Sequence, residues 1–151
     1  MPVDVITRTE IDRPRSEVAA YVCNPDNATA WYEAITSVRW ESSPPIAVGS
    51  RITFVARFLG RDLSYTYEVR ELVAAERLVM TTAQGPFPME TTYRWEDSAS
   101  GRTRMTLRNR GAPAGFFAFA APMLSAEIRR TNRKDLARLK AILEAGDASH
   151  R

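Results

Sequence analysis

Three tyrosines carry the hydroxyl groups of this sequence that best suit acid–base or binding chemistry. Tyr65, Tyr67 and Tyr93 share one side of a predicted sheet with apolar residues, while the intervening positions are mostly polar. A phenol on that side orients a ligand carbonyl or donates a proton. It also fits a core aromatic ring whose hydroxyl finds a partner. The three tyrosines are therefore candidate catalytic residues, and none is assigned as catalytic.

Two further side chains suit contact with a ligand. Asn109 falls on the same alternating positions as Met105 and Leu107, so it either anchors a ligand by hydrogen bonds or lies beyond the core near the end of a strand. Trp31 ends a short predicted helix, where its ring either stacks on a flat ligand or packs at the rim of the fold.

The remaining residue types exclude most familiar enzyme classes. The single histidine, His150, falls in the C-terminal tail, and the single cysteine, Cys23, has no partner with which to build a metal site or a nucleophile–base pair. A glycine-rich phosphate loop is also absent from the sequence. We expect neither a metal nor another cofactor.

The composition predicts one globular domain. Of the 151 residues, 44% are hydrophobic and 26% are charged, which is ordinary for a folded domain. We expect this domain over residues 1–146 and a disordered tail over residues 147–151. The sequence starts without a signal peptide, and its apolar runs are shorter than the roughly 20 residues of a membrane helix. A lone cysteine suits a reducing compartment, so we predict a cytoplasmic protein without stable membrane insertion.

The formal net charge of +3 does not by itself indicate nucleic-acid binding. Basic residues are spread along the chain among nearly as many acids. The dense basic segment between Arg129 and Lys140 fits the solvated face of a helix better than a phosphate-binding face. We therefore do not expect a nucleic-acid partner.

The elements that must position these residues form an α+β arrangement. A strand is predicted over Val3–Ile11, two short helices follow on either side of Asn24-Pro25, and a second strand is predicted over Thr36–Glu41. Short turns then predict antiparallel hairpins. The predicted strands are Arg51–Leu59, Leu63–Leu72, Leu78–Ala83, Phe87–Glu96 and Thr103–Arg110.

A long C-terminal helix is predicted to cover the apolar face of the sheet. Leu124, Ile128, Leu136, Leu139 and Ile142 recur mainly at three- and four-residue spacing, and the helix is predicted to end at Gly146. The polar face of the strands, with Thr53, Glu68 and Arg70 among its residues, is predicted to meet solvent.

Before this helix, Phe116, Phe117, Phe119 and Met123 form an apolar group that cannot all face one side of a helix. The segment is either a mobile lid or a plug that closes the core. A third possibility is a dimer contact, and the protein is predicted to be a monomer or a homodimer.

Several motifs accompany this order of elements. They are Ile11-Asp12-Arg13-Pro14-Arg15-Ser16-Glu17-Val18, Asn24-Pro25-Asp26-Asn27 before Trp31, Val48-Gly49-Ser50-Arg51, Gly85-Pro86-Phe87 and Asp135-Leu136-Ala137-Arg138-Leu139-Lys140. In these the chain resembles the helix-grip superfamily (SRPBCC, START-like), which includes StAR-related lipid-transfer domains and the birch pollen allergen. It is most similar to the bacterial polyketide cyclase/dehydrase-like branch.

The resemblance implies a curved antiparallel sheet of about seven strands, in the order β-α-α-β6-α, with a tunnel between its concave face and the long helix. The aromatase/cyclase branch usually employs a buried arginine and a hydroxyl-bearing residue. This sequence has no arginine at a clear inward position, and Arg39 lies in a strand whose register the sequence leaves open.

The leading hypothesis is a carrier or binding protein for a hydrophobic, aromatic or polyketide-like small molecule in a cavity of roughly 300–1,000 Å³. An alternative is a cyclase, aromatase or dehydratase that uses cavity tyrosines, and a third is a protein-interaction module built on Phe116–Phe119. The predicted ligand-binding residues are Trp31, Phe54, Phe58, Tyr65, Tyr67, Met80, Met89, Tyr93, Asn109, Phe116, Phe117 and Met123.

Overall fold

The segments in which apolar and polar residues alternate form a seven-stranded antiparallel sheet. The structure is a computed structural model, and it describes residues 3–58, 60–113 and 116–149. The strands are β1 (Val3–Ile11), β2 (Ile35–Trp40), β3 (Arg51–Phe58), β4 (Arg61–Val73), β5 (Arg77–Gln84), β6 (Met89–Asp97) and β7 (Thr103–Gly111). Their order across the sheet is β1-β7-β6-β5-β4-β3-β2. The strands β2 to β7 thus form a meander of neighbouring hairpins, as the short turns predicted.

The helices lie at the two ends of the meander. Helix α1 (Arg15–Val22), a 3-10 turn at Pro25–Asn27 and α2 (Ala28–Trp31) connect β1 to β2. After β7 come the short α3 (Phe116–Phe119) and the long α4 (Ala121–Ser149). The predicted α+β helix-grip order is confirmed, and α4 continues beyond Gly146, where the sequence predicted its end.

The apolar stripe of α4 faces the sheet. Leu124, Leu136, Leu139 and Leu143 are buried on this helix, and they pack with the inward residues of the strands. Polar contacts also hold the helix in place, since the Lys140 ammonium donates to the carbonyl of Glu10 at 2.9 Å. The helix is therefore fixed across the concave face of the sheet.

The outer face of the sheet is mostly polar, with one correction to the predicted pattern. Thr53 is buried, and its hydroxyl is satisfied there, since Oγ1 shares a 2.8 Å hydrogen bond with Thr66 and donates to a carboxylate oxygen of Glu41 at 3.1 Å. Arg70 reaches solvent and pairs with Glu68.

The register of β2 is now fixed. Arg39 pairs with Thr53 across the β2–β3 ladder, and its side chain is 75% exposed beside Glu41. It points away from the core, so it is not the inward arginine that the sequence left open. Among the helices that the structure describes, none is long and apolar enough to cross a membrane.

Candidate functional site

A partly open cavity lies between the concave face of the sheet, α2 and α4. Its volume is about 170 Å³, which is smaller than the range predicted from the sequence. Large side chains account for the difference, because aromatic and methionine residues from β3 to β6 project into the same space. The lining is mainly apolar, with a few polar groups among the rings.

Eight of the predicted ligand-binding residues line this cavity: Trp31, Phe54, Tyr65, Tyr67, Met80, Met89, Tyr93 and Asn109. Most of them fall on the inward positions of strands whose ladders are regular at those points. The side chains of Phe58, Phe116 and Phe117 lie outside the part that the structure describes. That the eight residues contact a ligand stays a prediction.

Met123 is placed differently from the prediction. Its side chain is 67% exposed and does not line the cavity, because the neighbouring Leu124 occupies the inward face of α4 at this turn. Phe119 is also outward, with 92% of its surface exposed. The inward face of the segment therefore begins at Leu124.

Local geometry explains the positions of two of the aromatic residues. Asn24 accepts a hydrogen bond from the backbone N–H of Asp26 at 3.1 Å, which starts the 3-10 turn leading into α2 and sets Trp31 at its buried end. The ring of Tyr65 lies against Gly85, where a Cβ would approach the ring to 2.7 Å. Glycine at this position leaves the room that the Tyr65 ring occupies.

A pair of tyrosine hydroxyls forms one polar feature of the cavity. The hydroxyls of Tyr32 and Tyr93 lie 2.6 Å apart. Burial raises the pKa of Tyr93, and burial together with the neighbouring Tyr93 raises the pKa of Tyr32 well above its ordinary value. Both phenols are therefore neutral near neutral pH and act as hydrogen-bonding groups.

Asn109 lies inside the cavity, in a hydrogen-bonded chain that joins the sheet to the helix. Its amide nitrogen donates to Thr91 Oγ1 at 3.0 Å, and its amide oxygen accepts from Asn132 at 2.6 Å. Of the two possibilities predicted for Asn109, the inward position is the observed one. The chain fixes a polar strip across an otherwise apolar wall.

Asp135 contributes a carboxyl group to the same cavity. The residue is 1% exposed, and its Oδ1 accepts a 3.1 Å hydrogen bond from the backbone N–H of Glu33. Burial raises the pKa of Asp135 to about 6, although the Glu33 N–H and the charge of Arg138 act in the opposite direction. Among the described residues, Asp135 forms no salt bridge.

Sequence reasoning missed Tyr32 and the polar groups of α4. Asn132 and Asp135 occupy the helix stripe of Ile128 and Leu139, at spacings of four, three and four residues. A carboxylate on an apolar stripe was the available signal for Asp135. Tyr32 follows a helix of four residues, which is too short to show a periodicity.

Replacing Asp135 by asparagine is expected to raise the free energy of unfolding at neutral pH by about 1–3 kcal/mol. The pKa of Asp135 is higher in the folded protein than its ordinary value of 3.8, so the folded state binds more protons between these two values. The contribution of Asp135 to stability therefore falls as the pH rises through this interval. The asparagine oxygen can still accept from Glu33.

Denaturant unfolding of the original protein and of Asp135→Asn measures this effect, at neutral pH and at a pH near the ordinary pKa of aspartate. The two stabilities should converge at the lower pH. If the two free energies of unfolding differed by the same amount at both pH values, ionisation of Asp135 would not be what destabilises the folded protein.

Comparison with known proteins supports the fold. Residues 2–144 match the family described as polyketide cyclase / dehydrase and lipid transport. No curated protein matches the chain. Among solved structures, TTHA0849 from Thermus thermophilus is 16% identical, with a TM-score of 0.82 over 95% of this chain and 98% of that one.

Two further solved structures share the architecture. A START superfamily protein from Mycobacterium smegmatis is 13% identical, with a TM-score of 0.78 over 94% of this chain and 97% of that one. The Zhui aromatase/cyclase from a Streptomyces species is 16% identical, with a TM-score of 0.77 over 93% of each chain. At these identities the likeness establishes the fold alone.

Proposed function

The chain belongs to the SRPBCC/START-like family of polyketide cyclase/dehydrase and lipid-transport proteins, and on that premise we propose that it binds a hydrophobic small molecule as a carrier or binding protein. The observation that carries the proposal is the cavity of about 170 Å³ between the sheet and α4, lined mainly by apolar and aromatic side chains. Apolar cavities with a few fixed polar groups are the usual form of a small-molecule site.

The volume limits what the enclosed part of the cavity holds. An engineered apolar cavity of ~150 Å³ accommodates benzene, so about 170 Å³ suits one substituted aromatic ring or an aliphatic group of similar size. A longer polyketide-like molecule would have to extend through the open side. The polar strip at Asn109 and the hydroxyls of Tyr32 and Tyr93 would orient such a ligand.

Native mass spectrometry of the freshly purified protein, compared with the denatured mass, tests the binding function. We expect a ligand mass that is lost on denaturation, or an empty protein whose thermal midpoint rises with ethylbenzene, because a ligand that binds only the folded state stabilises it. A protein that is empty and also unaffected by ethylbenzene would contradict the proposal.

An enzyme of the cyclase, aromatase or dehydratase type is the second candidate, and the cluster of Tyr32, Tyr93 and Asp135 favours it. A neutral phenol donates a hydrogen bond or a proton, and a carboxyl group whose pKa lies near 6 exchanges protons efficiently near neutral pH. The cavity would contribute by orienting a reactive chain. Among the residues that the structure describes, no arginine lines the cavity, so the tyrosines and Asp135 would have to supply the acid.

Under this second candidate, Tyr93→Phe is expected to lower turnover of a polyketide-type substrate by roughly tenfold or more, because the acidic hydroxyl is lost while the ring remains. Tyr67→Phe is the companion variant. Turnover rates of both variants measure the effect. Intact turnover in both would remove the tyrosine-acid mechanism.

The remaining functional expectations stay predictions. The exposed Phe119 and Met123 are available for a protein contact, and light scattering of a Phe119→Asp variant tests whether any self-association depends on that surface. The monomeric or homodimeric state, the cytoplasmic location and the absence of a nucleic-acid partner are likewise still to be measured.

A further inference from the structure

Aromatic rings and one carboxyl group meet at the α2 end of the cavity. Trp31, Tyr32, Tyr93 and Asp135 all line it. The ring centroids of Trp31 and Tyr32 lie 3.9 Å apart, and those of Trp31 and Tyr93 lie 6.4 Å apart in an edge-on arrangement. We call these four residues the aromatic–acid cluster. Two of its rings, Tyr32 and Tyr93, are also joined through their hydroxyls.

The charge inside the cavity has one sign. Among the described lining residues there is no lysine, arginine, histidine or glutamate, and Asp135 is the sole carboxylate. The charges nearest to it are Arg138 on α4 and Glu33 after α2, and both of these residues are exposed. The buried carboxylate therefore has no cation beside it within the described part of the cavity.

One of the two carboxylate oxygens of Asp135 accepts no hydrogen bond from the described residues. Oδ1 accepts from the Glu33 N–H, and no described residue donates to Oδ2. A buried carboxylate that lacks donors is costly, and a ligand that supplies a charged donor removes part of that cost. The faces of tryptophan and tyrosine attract cations as well.

We propose that the cavity binds an organic ammonium ion, an amine carried on a small apolar or aromatic group, with its nitrogen beside Asp135 and its apolar part against Trp31 and Tyr93. This rests on the binding function proposed above and specifies the ligand's charge. Neutral ligands bind more weakly than amines of the same shape, and carboxylate ligands bind more weakly still because Asp135 repels them.

Calorimetric titration with four probes of similar size tests the charge preference: phenethylamine, phenethyl alcohol, ethylbenzene and phenylacetate. At neutral pH we expect phenethylamine to bind about tenfold more tightly than phenethyl alcohol, from one charge-assisted contact and the aromatic faces. Phenylacetate should bind more weakly than ethylbenzene.

The variant Asp135→Asn separates charge from shape, because the amide retains the oxygen that faces Glu33. It should lose the preference for phenethylamine, about a tenfold change, while ethylbenzene binds as before. Glu127→Gln is the matched control, since it removes the same charge from a position of the same helix that pairs with Arg130 and does not line the cavity. It should leave all four affinities unchanged.

The preference should also depend on pH. Protonation of Asp135 removes the negative charge, so the affinity for phenethylamine should fall as the pH drops below the pKa of the carboxyl group, while that for ethylbenzene stays constant. The groups that interact with Asp135 are Tyr32, Tyr93, Glu33 and Arg138, and Tyr67 lines the same cavity. The phenols stay neutral in this range, because burial raises their pKa values.

The outcomes distinguish the two proposals. Binding of ethylbenzene without a preference for the amine, or an amine preference that survives in Asp135→Asn, would overturn the inference and leave the binding function intact. Failure of all four probes to bind a protein that native mass spectrometry shows to be empty would overturn both.

Discussion

Replacing Leu139 by alanine is expected to lower the free energy of unfolding by about 2–5 kcal/mol. Leu139 is fully buried on α4 and belongs to the main apolar cluster between helix and sheet. The substitution removes buried apolar surface and leaves a space that the surrounding rings fill only in part. The effect is large because Leu139 is fully buried in the apolar stripe through which α4 packs against the sheet.

Urea unfolding measures this loss, and Lys134→Ala is the matched control on the same helix. Lys134 is exposed, and its replacement should change stability by no more than about 0.5 kcal/mol. If Leu139→Ala lowered the free energy of unfolding as little as Lys134→Ala, Leu139 would not be packed between α4 and the sheet as described.

Replacing Ala56 by phenylalanine is expected to abolish binding in the cavity, with an affinity for ethylbenzene at least a hundredfold weaker. Ala56 lies on β3 and lines the cavity, so the added ring would occupy a space that is itself only about 170 Å³. Benzene fills a cavity of roughly this size, and the new side chain would therefore replace the ligand. Because it fills a void, it should cost less stability than a large side chain forced into a packed core.

Val55→Phe is the control for this substitution. Val55 precedes Ala56 on the same strand but does not line the cavity, because successive side chains of a strand point to opposite faces. Calorimetry with ethylbenzene should give the unchanged affinity for Val55→Phe. Equal loss in both variants would mean that the probe does not bind between the sheet and α4.

The inward face of the sheet was predictable because side-chain alternation in a regular strand leaves two choices, and burial of apolar residues selects one. Phe54, Tyr65, Tyr67 and Tyr93 consequently line the cavity as predicted. Arg39 could not be placed in this way, because β2 is short and its ladder contains an irregularity between Ile35 and Ser37. Only the pairing of Arg39 with Thr53 fixes its outward direction.

The size of the cavity could not be derived from the sequence, because the same inward residues line a cavity or fill a core. It depends on how the rings from neighbouring strands pack, as in the edge-on contact between Phe54 and Tyr67, whose centroids lie 5.9 Å apart. Tyr32 and Asp135 of the aromatic–acid cluster were missed for another reason. The position of Asp135 on the apolar stripe of α4 indicates a buried carboxyl group, but the sequence alone does not show that the fold brings this group beside Tyr32.

Methyl NMR of isotope-labelled methionines during a titration with ethylbenzene tests the central claim, that the space between sheet and helix binds an apolar molecule. Met80 and Met89 line the cavity, whereas Met123 lies in solvent. The account predicts saturable shifts of the Met80 and Met89 methyl resonances and an unchanged Met123 resonance. Shifts confined to Met123, or no shift up to the solubility limit of the probe, would contradict it.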